Sequence, residues 1–344
     1  MSGIKSCVSL YSLQDEYLNH RMNLDEIIRY VKDCGAEGIE LLPDQMLKGA
    51  PDVSEETVQN FRKVVEETGI KSICADVFLN TNLYKNRTLT KKECIDLLVK
   101  EIIQANRLGI HLIRLVSMVP YWVIEPLLPY CKKYDVTIAL EIHAGMAFDI
   151  PETKAYLKEM KRVNSPYCGI VVDTGIFCRK FPRVVSAYES QNGSNPEIFK
   201  YMDKVFADGK DFHQLITKAA QEGIFAKNGV PLPKDVQGLI KSEHDAAFIM
   251  LCDGYENYPY SCLDEYIPFI KHFHFKFFEM TEEGNEYSMD YKGLLEYLNG
   301  KGWSGYVSSE YEGNRWTLPG KKIMEREQVK AHVAYVNKCI SELK

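Results

Sequence analysis

The sequence predicts an α/β fold, a (β/α)8 TIM barrel that occupies the whole chain, residues 1–344, as one catalytic domain. Eight short β-rich runs are spread along the 344 residues, and amphipathic helix patterns lie between them. A recurring sequence pattern connects helices and strands: a helix-like segment ends at a glycine, and an apolar run follows, as in CGAEGIELL and TGIKSICADVF. Glycine suits a helix C-terminus because it adopts positive φ, and a buried parallel strand is nearly continuously apolar. A barrel with insertions commonly reaches this length.

The predicted strands follow one another at intervals that leave room for one helix each. They lie near 6–12, 37–42, 70–78, 110–117, 136–143, 168–174, 270–277 and 305–311. The segments LDEIIRYVKDCG, VQNFRKVVEETG, CIDLLVKEIIQANRLG and YKGLLEYLNGKG repeat apolar residues at helical spacing.

The spacing between consecutive strands is regular except between strands 6 and 7, where a far longer interval separates Asp173 from His274. We expect a long, mainly helical insertion there, at about 178–262. Because it follows a strand at the catalytic face of the barrel, it would form a lid or a partner surface, or a helical embellishment without catalytic residues.

Composition and charge exclude several classes of protein. A hydrophobic fraction of 45% and a charged fraction of 26% are ordinary for a globular domain. A net charge of −6 and a pI near 5.8 give no general attraction to nucleic acid or anionic membranes, which disfavours a DNA-repair role. No apolar run is long enough to span a bilayer, and the start MSGIKSCVSLYSL lacks a signal peptide, so we expect a cytoplasmic protein. The ten scattered cysteines include no CxxC pair, which predicts reduced thiols.

Four of the apolar runs end in a potential metal ligand. Glu141 lies in IALEIH, Asp173 in GIVVDTG, His274 in HFHFKF and Glu310 in GYVSSEYEG. Because parallel strands present their carboxyl ends at one face of a barrel, these side chains can converge on one cation. Oxygen and imidazole ligands favour Mn²⁺, with Mg²⁺ or Co²⁺ as alternatives. His272 shares the face of His274, which we prefer because it lies nearer the carboxyl end.

Taken singly, each strand-end acid also fits a helix cap or a surface group. His143 follows Glu141 by two residues and so lies on the same face of a strand. It suits a base that removes a proton beside a carbonyl, or equally a histidine that only supports a ligand.

Further charged residues lie near the same strand ends, and each also fits a salt bridge at the barrel rim. Lys276 has the parity of His274 and is a candidate for stabilising negative charge. The candidates for binding substrate are Arg114, Glu312 and Arg315. The aromatic stretch at 255–269 fits either a pocket wall or core packing.

Sequence motifs indicate a family. The runs GIELL, EIH, VVDTG, HFHFK and SSEYEG occur in the order expected for xylose-isomerase-like barrels of the sugar phosphate isomerase/epimerase type, which the chain resembles over nearly its whole length. In that superfamily the corresponding Glu, Asp, His and Glu bind a divalent metal. The resemblance therefore implies the same ligand set, Glu141, Asp173, His274 and Glu310.

Within that superfamily, VSLYSLQDEYL, EIHAG, HFHFKFFEM and SSEYEGNR resemble the catalytic α subunit of C-glycoside deglycosidases. Those enzymes cleave the carbon–carbon bond between a 3-oxo sugar and an aromatic aglycone, usually together with a small β subunit. The resemblance implies that His143 is an acid/base residue and that the chain is part of a hetero-oligomer.

The expected function is therefore metal-dependent cleavage of a 3-oxo C-glucoside, by proton abstraction beside the 3-keto group and elimination of the aglycone. One alternative is a keto-sugar isomerase or epimerase, which needs the same proton abstraction. Another is a non-catalytic barrel that binds sugars or serves as a scaffold. The absence of a convincing phosphate-binding loop favours an unphosphorylated glycoside.

Overall fold

The computed structural model describes residues 3–343, and within them eight parallel strands close into a barrel in chain order. The strands are β1 Ile4–Ser9, β2 Gly38–Leu41, β3 Lys71–Val77, β4 Leu112–Leu115, β5 Thr137–Ile142, β6 Cys168–Asp173, β7 Ile270–Phe277 and β8 Gly305–Tyr311. The predicted TIM barrel is confirmed. Six predicted strands end one to three residues early. The difference is largest for β1, because the chain after Ser9 turns into a 3-10 helix at Leu10–Leu13, and β5 ends one residue before His143.

Helices surround the barrel and cover the outer faces of its strands. They are α1 Gln14–Leu18, α2 Leu24–Asp33, α3 Pro43–Met46, α4 Glu55–Thr68, α5 Lys91–Leu108, α6 Ile124–Tyr134, α7 Pro151–Val163, α8 Arg183–Gln191, α9 Pro196–Ala207, α10 Phe212–Gln221, α11 Lys234–Gln237, α12 Glu243–Leu251, α13 Tyr291–Gly300 and α14 Glu325–Ser341. Short 3-10 helices lie at Tyr121–Val123, Thr174–Ile176, Cys252–Gly254, Tyr260–Leu263, Ile267–Phe269 and Gly313–Trp316.

Helix α5 shows how local sequence sets up a strand of the barrel. Thr90 caps its N-terminus and forms a capping box with Glu93, which satisfies backbone donors that the helix leaves free. Gly109 ends the helix with φ of +79°, a value that favours glycine. The chain then enters β4, which carries Arg114 into the barrel.

Strand β7 explains the HFHFKF pattern. Its aromatic side chains pack outward against the helix layer: Phe275 stacks on Tyr291 at 4.6 Å between ring centroids, and Phe277 stacks on His332 at 3.9 Å. The alternate residues, His272, His274 and Lys276, therefore face the barrel interior. The register pairs His274 with Asp173 of β6 and Lys276 with Glu310 of β8, which brings the polar ends of three strands side by side.

The interval between β6 and β7 is mainly helical and contains α8 to α12. Its buried residues, such as Phe181 and Phe248, belong to the same hydrophobic core as the barrel. The ring of Tyr255 packs edge-on against Phe181 at 5.0 Å and also lies 5.6 Å from Phe278, just beyond β7. The segment is thus packed onto the carboxyl end of the barrel.

All ten cysteines are free thiols, and most of them are buried, as the sequence predicted. Among residues 3–343, no helix is both long and apolar enough to cross a membrane.

Candidate metal centre and pocket

The four predicted ligands lie together at the carboxyl end of the barrel. Glu141, Asp173, His274 and Glu310 are all buried, and each offers a ligand atom within 4.8 Å of those of the others. His274 Nδ1 lies 3.1 Å from Glu141 Oε1 and 3.2 Å from Glu310 Oε1. Strand direction and register therefore bring them together as expected, and their role as ligands stays a prediction.

The chemistry of this cluster fits a divalent cation. Within the described part of the chain, the buried atoms Asp173 Oδ2 and Glu310 Oε2 have no hydrogen-bond partner. Burial raises the pKa of Asp173 to about 8, the neighbouring Lys276 opposes that shift, and the nearby Glu310 and Glu141 add to it. A bound cation would interact with these two oxygens and favour the ionised carboxylates. The cluster is thus able to hold a metal ion, and its donor types leave the identity of that ion open.

Two positively charged side chains of the protein border the same cluster. Lys276 Nζ lies 2.9 Å from Asp173 Oδ2, and Arg114 Nη1 lies 2.7 Å from Glu141 Oε1. Burial by itself would lower the pKa of both groups, but the surrounding carboxylates raise each pKa well above its ordinary value. Both side chains are therefore cationic. Arg114 also forms an ion pair with Asp76, whose Oδ1 lies 2.5 Å from its Nε.

Sequence reasoning missed Glu40, which lies below the cluster and is fully buried. Its Oε1 is 2.7 Å from His274 Nε2, and its Oε2 is 2.9 Å from His272 Nε2. Because Glu40 faces the Nε2 atom of His274, the Nδ1 atom is left to face Glu141 and the metal position. The signal that could have identified it is the single acid in GIELL. The run is a buried strand, so an acid within it has to face the barrel interior or the helix layer.

His272 lies deeper than His274 and pairs with Glu40, outside the group of four candidate ligands. Glu40, His272 and His274 are also close enough to hold a cation. The Nε2 atom of each imidazole already faces a Glu40 oxygen, however. The simpler explanation is that Glu40 orients His274 and does not bind a metal ion itself.

A cavity of about 330 Å³ lies above the ligand cluster. It is lined by all the residues predicted to be catalytic or to bind substrate, namely His143, Lys276, Arg114, Glu312 and Arg315. Its apolar lining includes Phe78, Phe278 and Trp316, and the segment between β6 and β7 contributes Leu251 and Tyr255. That segment therefore forms part of the pocket wall.

Glu312 and Arg315 form one polar wall of the cavity. Glu312 Oε1 lies 3.2 Å from Lys276 Nζ, and its other oxygen lies 3.5 Å from Arg315 Nη1. Arg315 also donates a hydrogen bond from Nε to the Tyr11 hydroxyl, at 2.8 Å. Hydrogen-bond donors and acceptors thus alternate along this wall.

The predicted aromatic stretch 255–269 serves both purposes that the sequence left open. Tyr255 lines the cavity. Tyr266 stacks on Phe148 at 4.9 Å, and Tyr260 packs edge-on against Phe177 at 5.3 Å.

His143 is the first residue after β5, and its half-buried side chain lines the cavity. Its Nδ1 contacts the carbonyl oxygen of Ala144. Since a carbonyl oxygen can only accept, Nδ1 carries the proton and Nε2 carries the lone pair of the neutral ring. The arrangement can therefore take up a proton at Nε2.

Comparison with known proteins agrees with this fold and with the resemblance in sequence. A family model described as xylose isomerase-like TIM barrel matches residues 28–180. A C-glycoside deglycosidase alpha subunit from Arthrobacter globiformis is 29% identical over 322 residues, which cover 90% of this chain and 84% of that protein. The resemblance to C-glycoside deglycosidase alpha subunits within the xylose isomerase-like barrels is confirmed.

Two further proteins show how widely this fold and these sequences are shared. The chain is 26% identical to the 3'-dehydrocarminate deglycosidase alpha subunit of a Microbacterium species, over 90% of this chain and 88% of that one. The solved structure of the IOLI protein with a bound zinc atom has the same fold, with a TM-score of 0.57, 14% identity and 99% coverage of both chains.

Proposed function

We propose that this chain is a metal-dependent enzyme acting on sugars, which cleaves the C-glycosidic bond of 3-oxo C-glucosides. The observation that carries the proposal is that His143, with its lone pair on Nε2, lines the same cavity as Glu141 and Glu310. These two residues form one buried cluster with Asp173 and His274. The names of the relatives, which include deglycosidases of C-glycosides and of 3'-dehydrocarminate, support the substrate class.

The first chemical step is removal of the proton from the sugar carbon beside the 3-keto group. His143 Nε2 takes that proton as a general base. A divalent cation held by the cluster would polarise the keto oxygen and stabilise the negative charge that develops there. Lys276 and Arg114 add positive charge at the border of the same site.

The second step breaks the bond between the anomeric carbon and the aryl carbon. The electron pair left by the lost proton forms a double bond between C1 and C2 of the sugar, and the pair of the broken bond leaves with the aryl carbon. Protonated His143 returns its proton to that carbon, so the histidine ends in its starting state.

The pocket fits the two halves of such a substrate. Phe78, Phe278 and Trp316 provide apolar surface for an aromatic aglycone, and Glu312 and Arg315 provide partners for sugar hydroxyl groups. A cavity of about 330 Å³ is within the size range of small-molecule sites.

The alternative is a keto-sugar isomerase or epimerase, favoured by the xylose isomerase-like description of the family model. It shares the first step and differs only in that the carbanion is reprotonated on carbon. We also propose a separate, smaller β subunit, because the relatives are named as alpha subunits, and Mn²⁺ as the ion, with Mg²⁺ or Co²⁺ as alternatives.

The test is to incubate the metal-loaded protein with 3-oxo C-glucosides and, separately, with free ketoses, with and without a candidate β subunit. Mass spectrometry then identifies the products, and His143→Gln serves as the matched control. Release of free aglycone by the parent protein, but not by His143→Gln, supports the proposal. Interconversion of sugars without aglycone release would select the isomerase instead, and binding without turnover under every condition would select a non-catalytic barrel.

A further inference from the structure

The loop that follows β5 carries His143, and several of its partners come from the segment between β6 and β7. The Tyr258 hydroxyl donates a hydrogen bond to Asp149 Oδ1 at 2.8 Å. The Phe148 ring stacks on Tyr266 with an interplanar angle of 13°. The position of this loop therefore depends on residues that are distant in sequence.

One peptide group in this loop is held at both ends. The N–H of Gly145 donates to Glu256 Oε1 at 2.9 Å, and the C=O of the same peptide, from Ala144, accepts from His143 Nδ1. In a planar trans peptide the N–H and the C=O point in opposite directions, so fixing one fixes the other. Glu256 is thus connected to the imidazole of His143 through a single rigid unit.

Glu256 is well placed to act as a fixed acceptor, because it is fully buried and its own backbone is tied down. Its N–H donates to the carbonyl of Gly175 at 3.3 Å, and its carbonyl accepts from the N–H of Cys178 at 2.8 Å. Gly145 has φ of +81°, a conformation that side chains disfavour and glycine tolerates. The chain therefore uses a glycine where this peptide turns toward Glu256.

We propose that Glu256 is a positioning residue for His143, holding the Ala144–Gly145 peptide so that the imidazole keeps its proton on Nδ1 and its lone pair on Nε2. The inference rests on the proposed function for the role of His143 as a base. Glu256 acts through the loop, since it is not among the residues that line the cavity in the described part of the chain.

Loss of the Glu256 acceptor has a defined physical consequence. The Gly145 N–H would be left unpaired in a partly buried position, which is unfavourable. The peptide could then rotate, because glycine accepts both signs of φ. A rotated carbonyl no longer accepts from His143 Nδ1, so the two neutral tautomers of His143 would compete and the base would be available for only part of the time.

The experiment compares Glu256→Gln, which keeps a carbonyl oxygen as acceptor, with Glu256→Ala, which removes it. Glu256→Leu is the second variant without an acceptor and keeps much of the side-chain volume, should the alanine variant fail to fold. The first readout is the imidazole ¹⁵N NMR signal of His143, assigned by its loss in His143→Gln and recorded where the ring is neutral. The second is kcat and KM for aglycone release.

We expect Glu256→Gln to keep the Nδ1-protonated tautomer and the parent kcat. Glu256→Ala or Glu256→Leu should show a mixture of tautomers and a kcat reduced on the order of 10- to 100-fold, with KM little changed. Tyr258→Phe is the control, because it loosens the same loop at Asp149 without touching the peptide, and it should keep the parent tautomer.

Two results would overturn the inference: the parent tautomer in both variants that lack an acceptor, or the same tautomer mixture in Tyr258→Phe. These results are separate from the fate of the proposed function. Full activity in His143→Gln would reject His143 as the base even if the tautomer responds to Glu256 as expected.

Discussion

The barrel strands and the segment between β6 and β7 place functional groups by different means. In β7, the alternation of polar and aromatic residues and the register with β6 and β8 bring His274 and Lys276 to Asp173 and Glu310. The orientation of His143 depends instead on Glu256, which lies 111 positions beyond its hydrogen-bond donor Gly145. The charge of the site thus follows from strand periodicity, while the alignment of its base follows from a long-range contact.

The largest effect should come from breaking the cluster of the barrel itself. Asp173→Asn keeps the shape of the side chain but removes a carboxylate oxygen from the ligand cluster. We expect loss of bound metal and a fall in turnover on the order of 10³-fold. Metal analysis and initial rates measure the two effects, with the exposed Asp208→Asn as control. Full metal occupancy in Asp173→Asn would remove this residue from the ligand set.

The loop side of the comparison is tested by His143→Gln. Because His143 lies outside the group of four ligands, we expect parent metal content with kcat reduced on the order of 10²- to 10³-fold. Rates and metal content are measured on the same preparation. Loss of metal together with activity would instead assign His143 to ligand support, the second role that its sequence position allows.

A smaller effect should follow from loosening the support below the metal position. Glu40→Gln weakens the contact with His274 Nε2, so we expect metal affinity to fall by roughly 10- to 100-fold. Competition with a chelator of known affinity measures the change. Glu37→Gln, at an exposed position three residues earlier, is the matched control. Equal affinity in the two variants would show that Glu40 does not orient His274.

The last effect concerns stability and pH, on the outer face of the barrel, away from the candidate metal site. Burial lowers the pKa of His332 from 6.5 to about 3 where its ring stacks on Phe277. Between these two values the unfolded chain binds a proton that the folded chain does not, so stability falls as pH falls, by about 1.4 kcal/mol per pH unit. Denaturant unfolding between pH 4 and pH 7, about the window of this shift, should show a shallower dependence in His332→Gln. An identical slope in both proteins would contradict a neutral buried His332.

Much of the candidate metal centre was predictable because a strand has a side-chain period of two and parallel strands share one direction. Those rules place Glu141, Asp173, His274 and Glu310 at one end without knowledge of any other contact. Glu40 obeys the same rules, and it was missed because GIELL was interpreted as a strand and a family motif without asking what its acid contacts. Its role needs the distance to His274, which sequence spacing does not contain.

The sequence by itself determined the barrel, the ligand cluster and the presence of a helical segment before β7, since each depends on local periodicity or on strand ends. Only the tertiary structure decided that this segment supplies Tyr255 to the pocket and Glu256 to the loop of His143. Such contacts depend on how the helices between β6 and β7 pack against the barrel. That packing is set by the fit of side chains across the whole core, and no short stretch of sequence records it.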